Sequence, residues 1–146
     1  MRLRGRAVSR TILFGVAILC TASISAFGQS AASGGLSLIQ QDFSDCTNTT
    51  VKDNPERNTG GEIWVTRNSD GTTFVKVGMT VTPNTTYHFY LKCVRQLGDI
   101  KTDDDGIGIA SFEFQTSSVG NVFAFDMYPE GAPSGNKFQS LTVLFK

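Results

Sequence analysis

The sequence is poor in the residues that build most catalytic and metal centres: in 146 residues, histidine and tryptophan each occur once and cysteine three times. With one histidine, His88, beside so few cysteines, no cluster with the ligand spacing of a zinc site can be read. No serine elbow, reactive cysteine or acid dyad accompanies His88. A general base needs a substrate proton or nucleophile within hydrogen-bond reach, and the pattern supplies none, so no catalytic residue, metal or cofactor is assigned. An enzyme would require a cleft that gathers His88 with acids from other strands. Nothing has the period of a long amphipathic helix. Beyond residue 28 there is also no cluster of Lys and Arg. That part of the chain carries nine Lys and Arg against 13 Asp and Glu, a net charge of −4, which argues against nucleic acid and anionic membranes as partners.

Charge of one sign and apolar length are concentrated at the start. Arg2, Arg4, Arg6 and Arg10 come without any acid, and the uncharged stretch Thr11 to Phe27 follows, most apolar from Ile12 to Cys20. This is the layout of a secretory signal peptide. Ala26-Phe27-Gly28 offers the narrow residues a signal peptidase requires, which places the cut after Gly28, with Ala31 or Ala32 as alternatives. The strongly apolar part is shorter than the roughly 20 residues that span a bilayer core, so no stable membrane insertion is expected after cleavage. The reading is therefore a signal peptide over 1–28, a small polar leader over 29–35, and a single domain over 36–146, located outside the cell, in a periplasm or on the cell surface. Cys46 and Cys93 are the cysteines left after cleavage. In an oxidising compartment they are expected to pair.

The remaining chain alternates short apolar runs with clusters of Gly, Asn, Asp and Pro, the pattern of an all-β sandwich or barrel. Strands are expected over Leu36 to Phe43, Glu62 to Arg67, Thr72 to Val81, Thr86 to Arg95, Gly108 to Gln115, Val122 to Tyr128 and Phe138 to Phe145, with a short one near Ile100, seven to nine in all. Asn68-Ser69-Asp70-Gly71 suits a type I turn followed by a left-handed Gly, the usual three-residue hairpin loop with a bulge. That loop sets Asn68 opposite Thr72. It follows that Ile63, Val65, Val75 and Val77 share one face while Trp64, Thr66, Phe74 and Lys76 share the other. Asp103-Asp104-Asp105-Gly106 offers the same turn between Ile100 and Ile107. A solvated turn is the favoured reading of these acids, since the spaced ligands of a calcium loop are absent.

The run Val81-Thr82-Pro83-Asn84-Thr85-Thr86-Tyr87, followed by Phe89 and Leu91, resembles the tyrosine-corner approach to a central strand in fibronectin type III and related immunoglobulin-like domains. The resemblance implies an antiparallel Greek-key β-sandwich, immunoglobulin-like, in which the Tyr87 hydroxyl bonds back to the preceding turn above Val81. It covers about a dozen residues, and about fifty follow it, room for three or four further strands. The later hairpin from Gly98 to Phe114 is similar to those of many bacterial exported β-sandwich modules, a likeness of fold that carries no activity.

The candidate binding residues come from the hairpin register. With the aliphatic face inward, Trp64 and Phe74 lie diagonally on the outer face. The parity of Tyr87, Phe89 and Leu91 turns His88, Tyr90 and Lys92 outward as well, so Tyr90 joins the other two if the strands are neighbours. Exposed aromatics of this kind often mark contact surfaces. The function expected is a non-catalytic binding or structural module whose partner is a protein or a glycan, a glycan-binding or adhesion module being the case in which Trp64, Phe74 and Tyr90 form a flat platform. The Gly/Pro-rich segment Pro129 to Lys137 reads as an exposed hairpin loop, either a plain connector or a second place for binding residues. Intact mass of the secreted protein should correspond to a chain starting at Gln29 or a few residues later. Recovery of the full-length chain from membranes would count against the signal peptide.

Overall fold

A computed structural model describes residues 35–145. The expected signal peptide and all of the leader except Gly35 lie outside them. The described chain forms ten strands: β1 (Leu36–Gln40), β2 (Gly60–Arg67), β3 (Thr72–Thr80), β4 (Thr86–Leu91), β5 (Arg95–Lys101), β6 (Ile107–Gln115), β7 (Val122–Phe123), β8 (Phe125–Pro129), β9 (Phe138–Ser140) and β10 (Val143–Leu144). Eight of them make one sheet in the order β5-β4-β8-β9-β1-β2-β3-β6, and β10 pairs with β7 in a two-stranded one. Every pairing is antiparallel. The all-β antiparallel class therefore holds, and the ladders run through one large sheet and one small one. That large sheet curls until its two edge strands face each other and is nearly closed, like a barrel.

The packing shows how the curl is achieved. A Cβ at Gly98 on β5 would stand 2.6 Å from Cε1 of Phe112 on β6, so only glycine leaves room for that ring at the seam. Phe112 stacks on Phe89 with centroids 5.1 Å apart, and Phe89 stacks on Phe125 at 5.2 Å. Three strands far apart in sequence thus meet through one run of rings. Ile63, Val65, Val75 and Val77 are fully buried in the same core, as the hairpin register requires. At one end, Phe123 of β7 packs edge-on to Phe114, Phe125 and Phe145.

Both turns have the expected form. Asn68 N–H donates to Thr72 O at 2.9 Å, and Gly71 has φ +87°. Strands β2 and β3 then pair Trp64 with Lys76, Thr66 with Phe74 and Val65 with Val75. The Asp70 carboxylate accepts from both Thr72 Oγ1 and Thr72 N, which holds its pKa below the usual carboxylate range, the hydroxyl contributing most. In the second turn, Asp103 Oδ1 accepts from the N–H groups of Asp105 and Ile107, and Gly106 has φ +80°. These carboxylates serve the turn itself.

The Tyr87 hydroxyl accepts a bond from Thr82 N–H at 3.3 Å, and Val81 is buried beside it. Thr102 Oγ1, just past the end of β5, secures the same turn, donating to Thr82 O at 2.7 Å and accepting from Thr85 N–H at 2.9 Å.

Several expected strands end early. The run Thr86 to Arg95 breaks after Leu91 because Cys93 takes a left-handed conformation, φ +60°, and Val94 N–H closes a turn onto Leu91 O. The chain then reverses into β5. The stretch Val122 to Tyr128 is interrupted at Ala124, whose carbonyl accepts from Lys92 N–H, and Phe138 to Phe145 is interrupted at Leu141 and Thr142. These interruptions raise the strand count above the expected nine. The Cys46–Cys93 disulfide is formed, with the Cα atoms 5.5 Å apart. Both cysteines are exposed, so the bond lies on the surface and not in the interior to which strand parity would have taken Cys93. It closes a loop with a sequence separation of 47, contributing about 4 kcal/mol on the chain-entropy account. Replacing Tyr87 by Phe should lower stability by about 1 kcal/mol, the worth of one hydrogen bond, seen as a lower urea midpoint at unchanged slope. An unchanged midpoint would show that the corner bond contributes nothing.

Candidate functional site

Strand alternation presents one side chain in two to the outside, and on β2, β3 and β6 that outer face stays largely uncovered. Trp64 is 39% exposed, Phe74 38%, Ile107 46% and Ile109 69%. The ladders align Glu62, Gly78 and Ile109 in one row, and Trp64, Lys76 and Ser111 in the next. Because Gly78 has no side chain, the row between Glu62 and Ile109 is hollow. A Cβ there would meet the Trp64 indole at 3.6 Å, ordinary contact distance, so the hollow adjoins one edge of that ring.

The hollow belongs to a groove of about 710 Å³ lined by Trp64, Gly78, Ile107 and Ile109 on the strands and by Asp53, Arg57 and Asn58 on the preceding segment. Arg57 is fixed rather than free. Its guanidinium donates to Asn54 O and Gly61 O at 3.1 Å and pairs with Asp53 at 3.4 Å. The lining thus combines apolar side chains from the strands with charged groups of both signs, Glu62 among them. An arrangement of this kind can seat an apolar surface beside the indole while the polar lining exchanges hydrogen bonds with polar substituents.

Trp64 and Phe74 lie on one outer face, as the register requires, but Tyr90 does not join them. In the sheet β8, β9 and β1 separate β4 from β2. Tyr90 instead stacks on Tyr128 of β8, centroids 4.8 Å apart, with His88 edge-on at 6.4 Å. Lys137 sits over the Tyr128 ring at 5.1 Å and pairs with Asp42 at 3.2 Å. Burial, with the neighbouring Tyr90 hydroxyl, pushes the Tyr128 phenol up to about 12. His88 Nδ1 lies 2.6 Å from Asp99 Oδ1, and Gln96 Nε2 donates to the same oxygen at 2.6 Å. The loop from Pro129 to Lys137 makes two turns of its own and is tied to Asp42 through Gly135 N–H at 2.9 Å. Among the described residues no group of three or more His, Cys, Asp or Glu is placed to hold a metal. No helix among them is long and apolar enough to cross a membrane.

One feature of the structure is invisible in strand parity. Lys92 points to the outer face as expected, yet it is only 8% exposed because the segment from Phe43 to Asn48 lies over it. Its ammonium donates to Phe43 O at 2.7 Å and Asn48 Oδ1 at 2.6 Å and pairs with Asp126 at 3.5 Å. Gln139, fully buried, accepts from Phe43 N–H at 2.8 Å and donates to Asp126 at 3.3 Å. The only signal in the sequence is that Lys92 is adjacent to Cys93, which places whatever Cys46 carries with it against that lysine. Comparison with known proteins adds no identity: no family model matches the chain, and no curated protein is significantly similar to it.

Trp64 is the only tryptophan, so fluorescence excited selectively in tryptophan reads this face alone. The folded protein should emit close to free indole and be quenched efficiently by acrylamide. A blue-shifted, quench-resistant signal would mean that the face is covered.

Proposed function

We propose that this protein is an exported, non-catalytic binding module and that the groove beside Trp64 is its contact surface, with a saccharide ring as the ligand class. The observation that carries the reading is the hollow over Gly78, where the exposed Trp64 lies beside guanidinium, carboxylate and amide groups. Sugars offer an apolar face of C–H groups and a periphery of hydroxyls, and aromatic rings with neighbouring polar groups match both. The basic, apolar start of the chain and the surface disulfide support export, since disulfides persist in oxidising compartments. The Tyr87 corner supports kinship with immunoglobulin-like modules. A second reading, a protein partner docked on the same face, draws on the exposure of Ile107 and Ile109, which exceeds that of the aromatics.

Titration with soluble gluco-, xylo-, manno- and chito-oligosaccharides, followed through Trp64 emission, should give a saturable shift with at least one of them. Gly78→Val should abolish it while leaving the fold intact, because the new side chain meets the indole at contact distance without backbone strain. Trp64→Ala, which removes the fluorophore and is followed by titration calorimetry instead, should also weaken binding at least tenfold, the effect of losing roughly 1.4 kcal/mol or more. Absence of any sugar response, with a partner protein lost on Ile109→Lys, would favour the second reading over the first.

A further inference from the structure

The buried group around Lys92 holds a nucleophile, an acyl carbon and an acid in one water-excluded place. Lys92, Asn48 and Asp126 are 8%, 1% and 7% exposed. The Asn48 amide has a fixed orientation. Its Nδ2 donates to Ser140 O at 2.9 Å and Phe125 O at 3.2 Å, which turns Oδ1 toward Lys92 Nζ at 2.6 Å. A nitrogen at that distance from the amide oxygen lies on the order of 3.5 Å from the amide carbon, the separation of a near-attack arrangement. Asp126 Oδ1 stands 3.5 Å from the same nitrogen. The Cys46–Cys93 bond, one residue from Lys92 and two from Asn48, presses the two chain segments together.

We propose that Lys92 and Asn48 join in an intramolecular isopeptide bond, with Asp126 carrying the protons. The Asp126 carboxylate takes a proton from the Lys92 ammonium, and the neutral amine swings onto the face of the Asn48 amide and attacks Cγ. The acid then gives its proton to Nδ2 and recovers one from Nζ as the tetrahedral centre collapses. The Nζ–Cγ bond forms, the Cγ–Nδ2 bond breaks and ammonia leaves. Two protons leave Lys92, one departing in the ammonia and the other remaining on Asp126. Nothing is oxidised or reduced and no co-reactant is needed. Burial raises the Asp126 pKa, against the pull of Lys92 and Asn48, and so favours the neutral acid that the step both uses and leaves behind. Exclusion of water protects the amide from competing hydrolysis.

The inference stands apart from the groove and its ligand. Tryptic mapping of the mature, reduced protein tests it, since Asn48 falls in the peptide ending at Lys52 and Lys92 ends the peptide beginning at Val77. The expected result is one species joining the two, uncleaved after Lys92, and lighter than the sum of its parts by the mass of ammonia, about 17 Da. Intact mass alone does not suffice, because cyclisation of an N-terminal Gln29 loses the same mass. Asn48→Ala and Asp126→Asn should both abolish the linked species, with normal disulfide formation and circular dichroism as the check on folding. Cleavage after Lys92 with both wild-type peptides at their unmodified masses would overturn the proposal, whichever way the variants fold. A link that persists in folded Asp126→Asn would overturn the role given to the acid.

Discussion

The near-closure of one antiparallel sheet on itself is the constraint from which the rest of this structure follows. Edge strands cost stability unless their backbone groups and apolar flanks are covered, and here β5 and β6, which share no ladder, pack their apolar side chains together across the seam. That requires a corner where rings pass close to backbone. Gly98 supplies the space and Phe112 fills it. Once the sheet is curled, alternation divides every strand between a filled interior and an outer surface. The interior then takes large side chains from all sides, Phe89 and Phe125 meeting Phe112 in a continuous stack.

The outer surface is divided in its turn. Over β4, β8 and β9 it is covered by the segment that follows β1, and over β2, β3 and β6 it is bare. The covered half could not be apolar, because the covering segment has no ladder to satisfy its backbone. Gln139 and Lys92 do so instead, both bonding to Phe43. Buried charge of this sort is costly unless every donor has a partner. No buried side-chain nitrogen or oxygen among the described residues lacks one.

Local turn chemistry was the most legible part of the sequence. Asn68 to Gly71 determined a register, the register determined which face of the hairpin carried Trp64, and the structure keeps both. The pairing of Cys46 with Cys93 was legible from compartment logic, although its position was not: a left-handed Cys93 ends β4 two residues before parity would have taken it inward. Tyr90 was to join Trp64 and Phe74 only if their strands were neighbours, and that condition fails. Parity states which side of a sheet a residue occupies and is silent about which strands are neighbours, and three strands separate β4 from β2. The polar cluster was illegible because Asn48, Lys92, Asp126 and Gln139 come from four separate segments. Each of them looks like an ordinary surface residue until the covering segment is in place.

The covering segment has a further consequence. Between Gln40 and Gly60 the chain joins no strand ladder, and it is held by the disulfide, by Lys92 and Gln139 at one end, and by Arg57 against Gly61 at the other. Past Gln41, whose N–H donates to Lys137 O, its attachment is a matter of side chains, while that of the sheet is a matter of backbone. Segments with few backbone bonds to the core open at lower free energy than the elements they cover. This one reaches from the buried lysine to the rim of the Trp64 groove. In Asn48→Ala, where no second covalent link to Lys92 can form, reduction of the surface disulfide would loosen a strap that runs between the two halves of the outer face, so amide exchange along it would register the redox state of the surroundings.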